Sequence, residues 1–220
     1  MNDTEPESHL QPAVIAVIAV YVQLAVFGLC GNLWVMWTVL SQLLGCATGG
    51  RPHKPTIQSS AFIYLLLLSV VDLVSFLPIP LLVSDLVMLR WPFSLGICKF
   101  FYICEGVNKT LSPMVLTALS IDRYIAVCKP TLVWMRQTQF ALFVVLVCVL
   151  LSMTFIVPIG VHAKIETMPL TPVVLVDKCT LRIRGYFDLA QAMACFVLPL
   201  MLICSVYTAI LNKVRSFKVV

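Results

Sequence analysis

Residues 140–163 read FALFVVLVCVLLSMTFIVPIGVHA, a run without one Asp, Glu, Lys or Arg. A helix needs about 20 apolar residues to cross the hydrocarbon core of a bilayer, so this run is long enough to span a membrane. Other stretches have the same character, although most of them hold isolated charges. The pattern predicts an integral membrane protein with five helical spans at about residues 13–40, 61–88, 97–127, 140–163 and 186–211.

The composition of the whole chain agrees with this prediction. Of 220 residues, 60% are hydrophobic and only 11% are charged, whereas a soluble globular domain carries about 25% charged residues. Such a chain cannot be intrinsically disordered, and it lacks the basic surface that nucleic-acid binding requires. The composition therefore excludes nucleic acid as a partner and makes the lipid bilayer one.

Basic residues indicate the orientation of the spans. With the N-terminus outside, the cytoplasmic segments 41–60, 122–139 and 212–220 hold eight Lys and Arg residues against six in the outer segments, a bias in the direction of the positive-inside rule. Asn2 begins the glycosylation sequon Asn2-Asp3-Thr4, which is usable only outside the cytosol. We expect a multi-pass plasma-membrane protein with an extracellular, glycosylated tail at 1–12.

Charged side chains inside the spans need an explanation, because each costs about 2.5–3.5 kcal/mol at the centre of a membrane helix. Asp72 lies near the middle of the second span and must face the interior of the bundle. Glu105 and Lys109 stand four residues apart in the third span and therefore share one helix face. Two readings stay open: the two side chains neutralise each other, or Glu105 points into a cavity and meets a cationic ligand.

The third span also carries a stripe of residues at three- and four-residue intervals, the spacing of one helix face. The stripe is polar in its outer half and is apolar in its middle, which favours signal transmission over transport. At 1.5 Å per residue it is about 27 Å long. Its members are Glu105, Asn108, Ser112, Leu116, Leu119 and Arg123.

Two of the nine cysteines fall on the outer side of the predicted membrane. Cys98 opens the third span and Cys179 lies in the loop before the fifth. Because outer segments face an oxidising compartment, a disulfide that pins this loop over the bundle is expected. The alternative is two reduced thiols.

Residues 120–130, SIDRYIAVCKP, resemble the inner end of the third helix of a rhodopsin-like G-protein-coupled receptor. Further motifs of that family occur in the correct order along the chain. They are Gly31-Asn32, Leu68 with Asp72, Trp91-Pro92-Phe93 before Cys98, and Pro199 with Tyr207.

Other short motifs are similar to those of somatostatin-type peptide receptors and their opioid and allatostatin-C-like relatives. They are Pro80, Gly106-Val107-Asn108, Val157-Pro158-Ile159 and Leu198-Pro199-Leu200. The resemblance covers about residues 20–218. It implies an all-α membrane protein that contains five transmembrane helices of a seven-helix bundle, with helices six and seven absent and residues 212–220 starting the third cytoplasmic loop.

The resemblance also implies two binding sites. Asp72, Asn108 and Ser112 match the sodium pocket of the family, although a hydrogen-bonded cluster without an ion remains an alternative. Glu105 stands where these receptors place the acid that pairs with a basic group of the peptide ligand. Lys109 departs from that pattern and puts the sign of the ligand in doubt. Asn108, Lys109, Asp85 and Gln191 are further candidates for contact with the ligand.

At the cytoplasmic end, Asp122, Arg123 and Tyr124 match the switch motif of the family. The resemblance implies that Asp122 restrains Arg123 at rest, and that Arg123 turns toward Tyr207 and the G protein on activation. Alternatively, Arg123 only reaches the lipid phosphates at the membrane edge.

The function implied is a neuropeptide receptor that signals to a heterotrimeric G protein, of the inhibitory type. It is not an enzyme, and no cofactor is expected apart from an allosteric sodium ion. Activation in the family moves the sixth helix outward, so the 220-residue chain alone is expected not to signal.

The alternative is a truncated, non-signalling receptor that dimerises with full-length receptors and traps them. A transporter or intramembrane enzyme fits poorly, since His9, His53 and His162 lie at or beyond the membrane edges.

Overall fold

The computed structural model describes residues 12–47, 59–169, 174–183 and 185–218. The predicted glycosylation site at Asn2 lies outside these residues. Within them, five helices are long and apolar enough to cross a membrane. The helical segments are α1 (Pro12–Ala47), α2 (Ser59–Ser75), α3 (Ile79–Met88), α4 (Leu95–Cys128), α5 (Thr138–His162), α6 (Gly185–Ala192) and α7 (Leu198–Lys218).

The second span consists of two helices rather than one. A turn at residues 76–78 separates α2 from α3. Pro78 and Pro80 flank the start of α3, and proline has no backbone N–H to donate to the preceding turn of a helix. The two prolines therefore account for the break, which the hydropathy of residues 61–88 does not indicate.

The fifth span is also irregular. A π-helical turn at Met193–Val197 joins α6 to α7. Pro199 follows directly in the first turn of α7, and its missing N–H is one cause of irregular hydrogen bonding at this point. Wide turns of this kind often occur at functional sites because they change the direction of the side chains that follow.

Helix α4 is the centre of the bundle, because it packs against α2, α5 and α7, while α1 packs against α2. The close approach of α4 to α5 leaves little room for a side chain at Gly106. A Cβ atom there would lie 3.2 Å from Cδ1 of Ile159. The apolar core between α2, α4 and α5 contains Tyr64, Val71, Leu111, Val115, Ala141 and Cys148.

A β-hairpin covers one end of the bundle. Strand β1 (Ala163–Pro169) begins where α5 ends, and strand β2 (Leu175–Leu181) returns antiparallel to it. In this register Glu166 faces Lys178 and Ile165 faces Cys179. The sequence predicts only a loop here, so the hairpin adds two strands to a fold that is otherwise helical.

Candidate functional site

Three successive residues of β2 attach the hairpin to α3, to α4 and to the segment between these two helices. The Asp177 carbonyl accepts a hydrogen bond of 2.8 Å from the backbone N–H of Trp91. Lys178 Nζ lies 3.0 Å from both carboxylate oxygens of Asp85, which belongs to α3. Cys179 forms a disulfide with Cys98 of α4, with the two Cα atoms 5.7 Å apart. The predicted disulfide is confirmed, and the hairpin is held at three separate points.

A cavity of about 460 Å³ opens between α4 and the irregular fifth span. Three of the five residues predicted to bind a ligand line it: Asn108, Lys109 and Gln191. The rest of its lining includes Ser112, Pro113, Asp188, Ala192, Cys195 and Phe196. This volume falls in the range of small-molecule and side-chain pockets, about 300–1,000 Å³.

The other two predicted ligand residues are elsewhere. Glu105 is not part of the lining of this cavity, and its Oε1 accepts a 2.6 Å hydrogen bond from Lys109 Nζ. The Lys109 side chain is 62% exposed and that of Glu105 38%. The structure therefore contains the intrahelical ion pair that the sequence analysis left open. Asp85 is engaged by Lys178, as described above.

The three residues of the predicted cation site lie together. Ser112 Oγ is 3.0 Å from Asn108 Oδ1 and 3.3 Å from Asp72 Oδ1. One hydroxyl proton can serve only one of these two acceptors at a time. A carboxylate and two neutral oxygens in contact have the chemistry that hard cations prefer. The residues present therefore fit a small monovalent cation.

At the opposite end of the bundle, Asp122 is 4% exposed and faces away from Arg123. Its Oδ1 accepts a 2.6 Å hydrogen bond from Ser60 of α2 and lies 3.7 Å from Arg136 Nε. Arg123 is exposed and has no ion pair among the described residues. Consecutive side chains of a helix point about 100° apart. When Asp122 turns into the bundle, Arg123 therefore points out of it, and the expected restraint of Arg123 by Asp122 is not present.

The remaining two residues of the predicted switch are both on helices. Tyr124 is half-buried on α4, whereas Tyr207 is 48% exposed on α7. No hydrogen bond joins Tyr207 to the Asp122–Tyr124 segment in the described parts of the chain. Helices α4 and α7 pack against each other, but the predicted interaction of Tyr207 with Arg123 is not among the described hydrogen bonds.

Comparison with known proteins gives the family. A family model described as "7 transmembrane receptor (rhodopsin family)" matches residues 31–219. The chain belongs to the rhodopsin family of seven-transmembrane receptors. Receptors of this family are not enzymes.

Several curated receptors are similar to this one. A probable G-protein coupled receptor of Caenorhabditis elegans is 31% identical over 98% of this chain and 51% of its own length. Somatostatin receptor type 2 of Mus musculus is 28% identical over 98% of this chain and 56% of its own. Neuropeptide receptor 18 of C. elegans is 35% identical over 66% of this chain and 30% of its own. The chain spans about half the length of the curated relatives that it matches almost end to end.

Several residues of this receptor site were not found by sequence reasoning. Lys178 and Asp188 belong to none of the motifs on which the sequence predictions rest. Ser60 and Arg136, which surround Asp122, belong to segments without a motif. A charged residue within one helical turn of a membrane edge is the signal that could have directed attention to Asp188.

Proposed function

We propose that this chain forms the ligand-binding part of a neuropeptide receptor that acts on a heterotrimeric G protein of the inhibitory type. The cavity between α4 and α6 carries this proposal. Its lining combines polar side chains, including Lys109, Asp188 and Gln191, with apolar ones such as Phe196, and a peptide carries both kinds of group. Similarity to somatostatin receptors and to a neuropeptide receptor supports the same class of ligand.

The orientation of the receptor is part of the proposal. The disulfide between Cys98 and Cys179 lies at the hairpin end of the bundle, and disulfides persist in oxidising compartments. The hairpin end is therefore assigned to the extracellular side of the plasma membrane. The end that carries Asp122, Arg123 and Tyr124 is assigned to the cytoplasm, where a G protein would meet it.

A sodium ion is proposed as an allosteric ligand of the cluster formed by Asp72, Asn108 and Ser112. When bound, the ion would supply a positive charge that keeps the Asp72 carboxylate ionised inside the bundle. Asn108 and Ser112 would contribute neutral oxygens. Since both of these side chains also line the cavity, occupancy of the cluster and occupancy of the cavity are expected to influence each other.

Peptide binding tests the proposal directly. The 220-residue chain would be purified into lipid nanodiscs and screened with a panel of labelled neuropeptides that includes somatostatin. We expect saturable binding of at least one peptide, and at least tenfold weaker binding of that peptide by Gln191→Leu. Gln23→Leu is the matched control, because Gln23 is exposed on α1 and lies outside the cavity lining. Absence of saturable binding, or equal effects of the two variants, would contradict the proposal.

Coupling is assigned to the seven-helix receptor rather than to five helices. Peptide-stimulated nucleotide exchange would be measured with purified inhibitory and stimulatory G proteins, for the complete reading frame of the transcript and for residues 1–220. We expect exchange on the inhibitory G protein with the complete receptor and none with residues 1–220. Exchange driven by residues 1–220 would contradict the assignment of coupling.

A pairing role is the second candidate function. Helix α7 presents large apolar side chains that are exposed in this structure, among them Leu198 at 58% and Met201 at 63%. Such a face can pack against a helix of another receptor within the bilayer. Co-purification of the 220-residue chain with an intact somatostatin-type receptor, lost in Leu198→Ala/Met201→Ala, would favour this role.

A further inference from the structure

We infer that the cavity selects a peptide segment that carries both an acidic and a basic group, with Lys109 holding the acid and Asp188 holding the base. The inference rests on the proposed function, because it names the chemistry of the ligand for the same cavity. It differs from the expectation drawn from the family resemblance, in which an acid at the position of Glu105 receives a basic group.

The α4 wall of the cavity presents a cation. Lys109 lines the cavity and Glu105 does not. An ammonium group has three donors, and the described contacts show one of them on Glu105 Oε1 at 2.6 Å. Because the Lys109 side chain is 62% exposed, its remaining donors are open to a ligand. Glu105 then acts as a positioning residue, since it orients the lysine from outside the cavity.

The opposite wall presents an anion. Asp188 lies in the first turn of α6 and lines the same cavity. It is exposed, and no hydrogen bond or ion pair engages its carboxylate within the described residues. A negative charge in the first turn of a helix interacts favourably with the helix dipole, and the exposed Asp188 side chain is accessible to a ligand.

Two opposite charges on facing walls discriminate among ligands. A ligand with only a basic group can pair with Asp188 but offers no partner to Lys109. A ligand with only an acidic group can pair with Lys109 but offers no partner to Asp188. An ionic group that loses water without gaining a partner costs binding free energy. Asn108 and Gln191, which also line the cavity, add neutral hydrogen-bonding groups that a peptide backbone can use.

The charge arrangement can be measured without knowing the peptide. Single cysteines would be introduced as Ser112→Cys, three residues from Lys109, and as Ala192→Cys, four residues from Asp188; both positions line the cavity. Each variant would be treated in nanodiscs with anionic sulfonatoethyl or cationic trimethylammonioethyl methanethiosulfonate. The rate at the introduced cysteine would be read by peptide mass spectrometry, which separates it from the native cysteines.

The Asp72 carboxylate lies beside position 112, so each cysteine variant is compared only with the same variant after one further charge has been removed. Adding Lys109→Gln to Ser112→Cys should lower its ratio of anionic to cationic reaction rates about sevenfold, because one charge roughly 7 Å away in water changes the rates of the two oppositely charged reagents in opposite directions. Adding Asp188→Asn to Ala192→Cys should raise its ratio by a similar factor. Lys99→Gln is the matched control and should change neither ratio, because Lys99 lies about 15 Å along α4 from Lys109.

Two results would overturn the inference. One is a ratio in Ser112→Cys that responds to Glu105→Gln more strongly than to Lys109→Gln, which would make Glu105 the charge that faces the cavity. The other is a ratio in Ala192→Cys that does not respond to Asp188→Asn. These reagents need no peptide, so their outcome is independent of the neuropeptide screen, whose failure would contradict the proposed function alone.

A peptide that binds in the screen provides the final comparison. Replacing its acidic side chain by the corresponding amide should weaken binding to the unchanged chain at least tenfold, and should have no effect on binding to Lys109→Gln. An equal loss for both proteins would show that the acid is not held by Lys109.

Discussion

Individual charged residues of the hairpin differ in how much they stabilise it, because they differ in exposure. The Asp85–Lys178 pair joins the hairpin to α3, and its side chains are 20% and 25% exposed. Lys164 also makes an ion pair, with Glu166, but its side chain is 53% exposed. Half-exposed pairs are screened by water and typically contribute only about 0–1 kcal/mol.

Lys178→Gln is therefore expected to lower the free energy of unfolding by about 1–3 kcal/mol, since it leaves the Asp85 carboxylate partly buried without its cation. The matched variant Lys164→Gln should cost less than about 1 kcal/mol. Thermal unfolding in detergent would measure both changes. Equal losses for the two variants would show that the Asp85–Lys178 pair does not anchor the hairpin.

Glu166 connects hairpin stability to pH. The hydrogen bond from Lys164 to its carboxylate, with the nearby Arg182 guanidinium, lowers the pKa of Glu166 below its ordinary value. A group with a lowered folded-state pKa stabilises the fold above its unfolded pKa of about 4.3, and this contribution is lost as the pH falls through the folded value.

We expect the stability difference between the unchanged chain and Glu166→Gln to be constant near pH 7 and to disappear in the acidic range below pH about 4. Melting temperatures of both proteins across that range would test this. A difference that grows on acidification would mean that the pKa of Glu166 is raised rather than lowered.

At the scale of elements, the contact between α1 and the break in the second span depends on one glycine. A Cβ atom at Gly28 would lie 2.3 Å from Cζ of Phe76, in the turn between α2 and α3. At Gly31, one turn further along α1, a Cβ atom would meet nothing within 4 Å. Of these two glycines, only Gly28 lies where a side chain would collide with a neighbouring residue.

Gly28→Ala should destabilise the bundle by roughly 1–3 kcal/mol, as overpacked sites do, because the Phe76 ring must move. Gly31→Ala should be neutral or stabilising by up to about 1 kcal/mol, since alanine favours a helix over glycine. The two melting temperatures in the same detergent provide the measurement. If Gly28→Ala is as stable as Gly31→Ala, Phe76 moves away without cost and the packing argument fails.

For the whole molecule, the Cys98–Cys179 disulfide closes a sequence separation of 81 residues. Crosslinks over loops of this length typically stabilise a fold by about 2–4 kcal/mol. Cys98→Ala/Cys179→Ala should therefore lower the melting temperature and speed hydrogen exchange in β1 and β2. Cys30→Ala, which removes an exposed thiol outside any disulfide, should do neither. Unchanged exchange in the strands would show that the other two anchors are sufficient.

Much of this architecture follows from local sequence. Long apolar runs predicted five spans, and the described residues contain five helices that are long and apolar enough to cross a membrane. The order of spans and loops also predicted the disulfide, because it places Cys98 and Cys179 together on the outer side of the membrane. The turn after Ser75 and the π-helical turn at Met193–Val197 were missed, since hydrophobicity averaged over a long run is insensitive to a single proline.

The sequence by itself determined that this is a membrane protein of the rhodopsin family, because hydropathy and short motifs are properties of consecutive residues. Only the tertiary structure decided which charges meet. Lys178 reaches Asp85 across a distance of 93 residues in the chain, and Asp122 meets Ser60 and Arg136 rather than its neighbour Arg123. Such pairs depend on the rotation and packing of the helices. Consecutive side chains of a helix point about 100° apart, so neighbours in sequence face different partners. Packing of one helix against another then brings residues that are distant in sequence into contact.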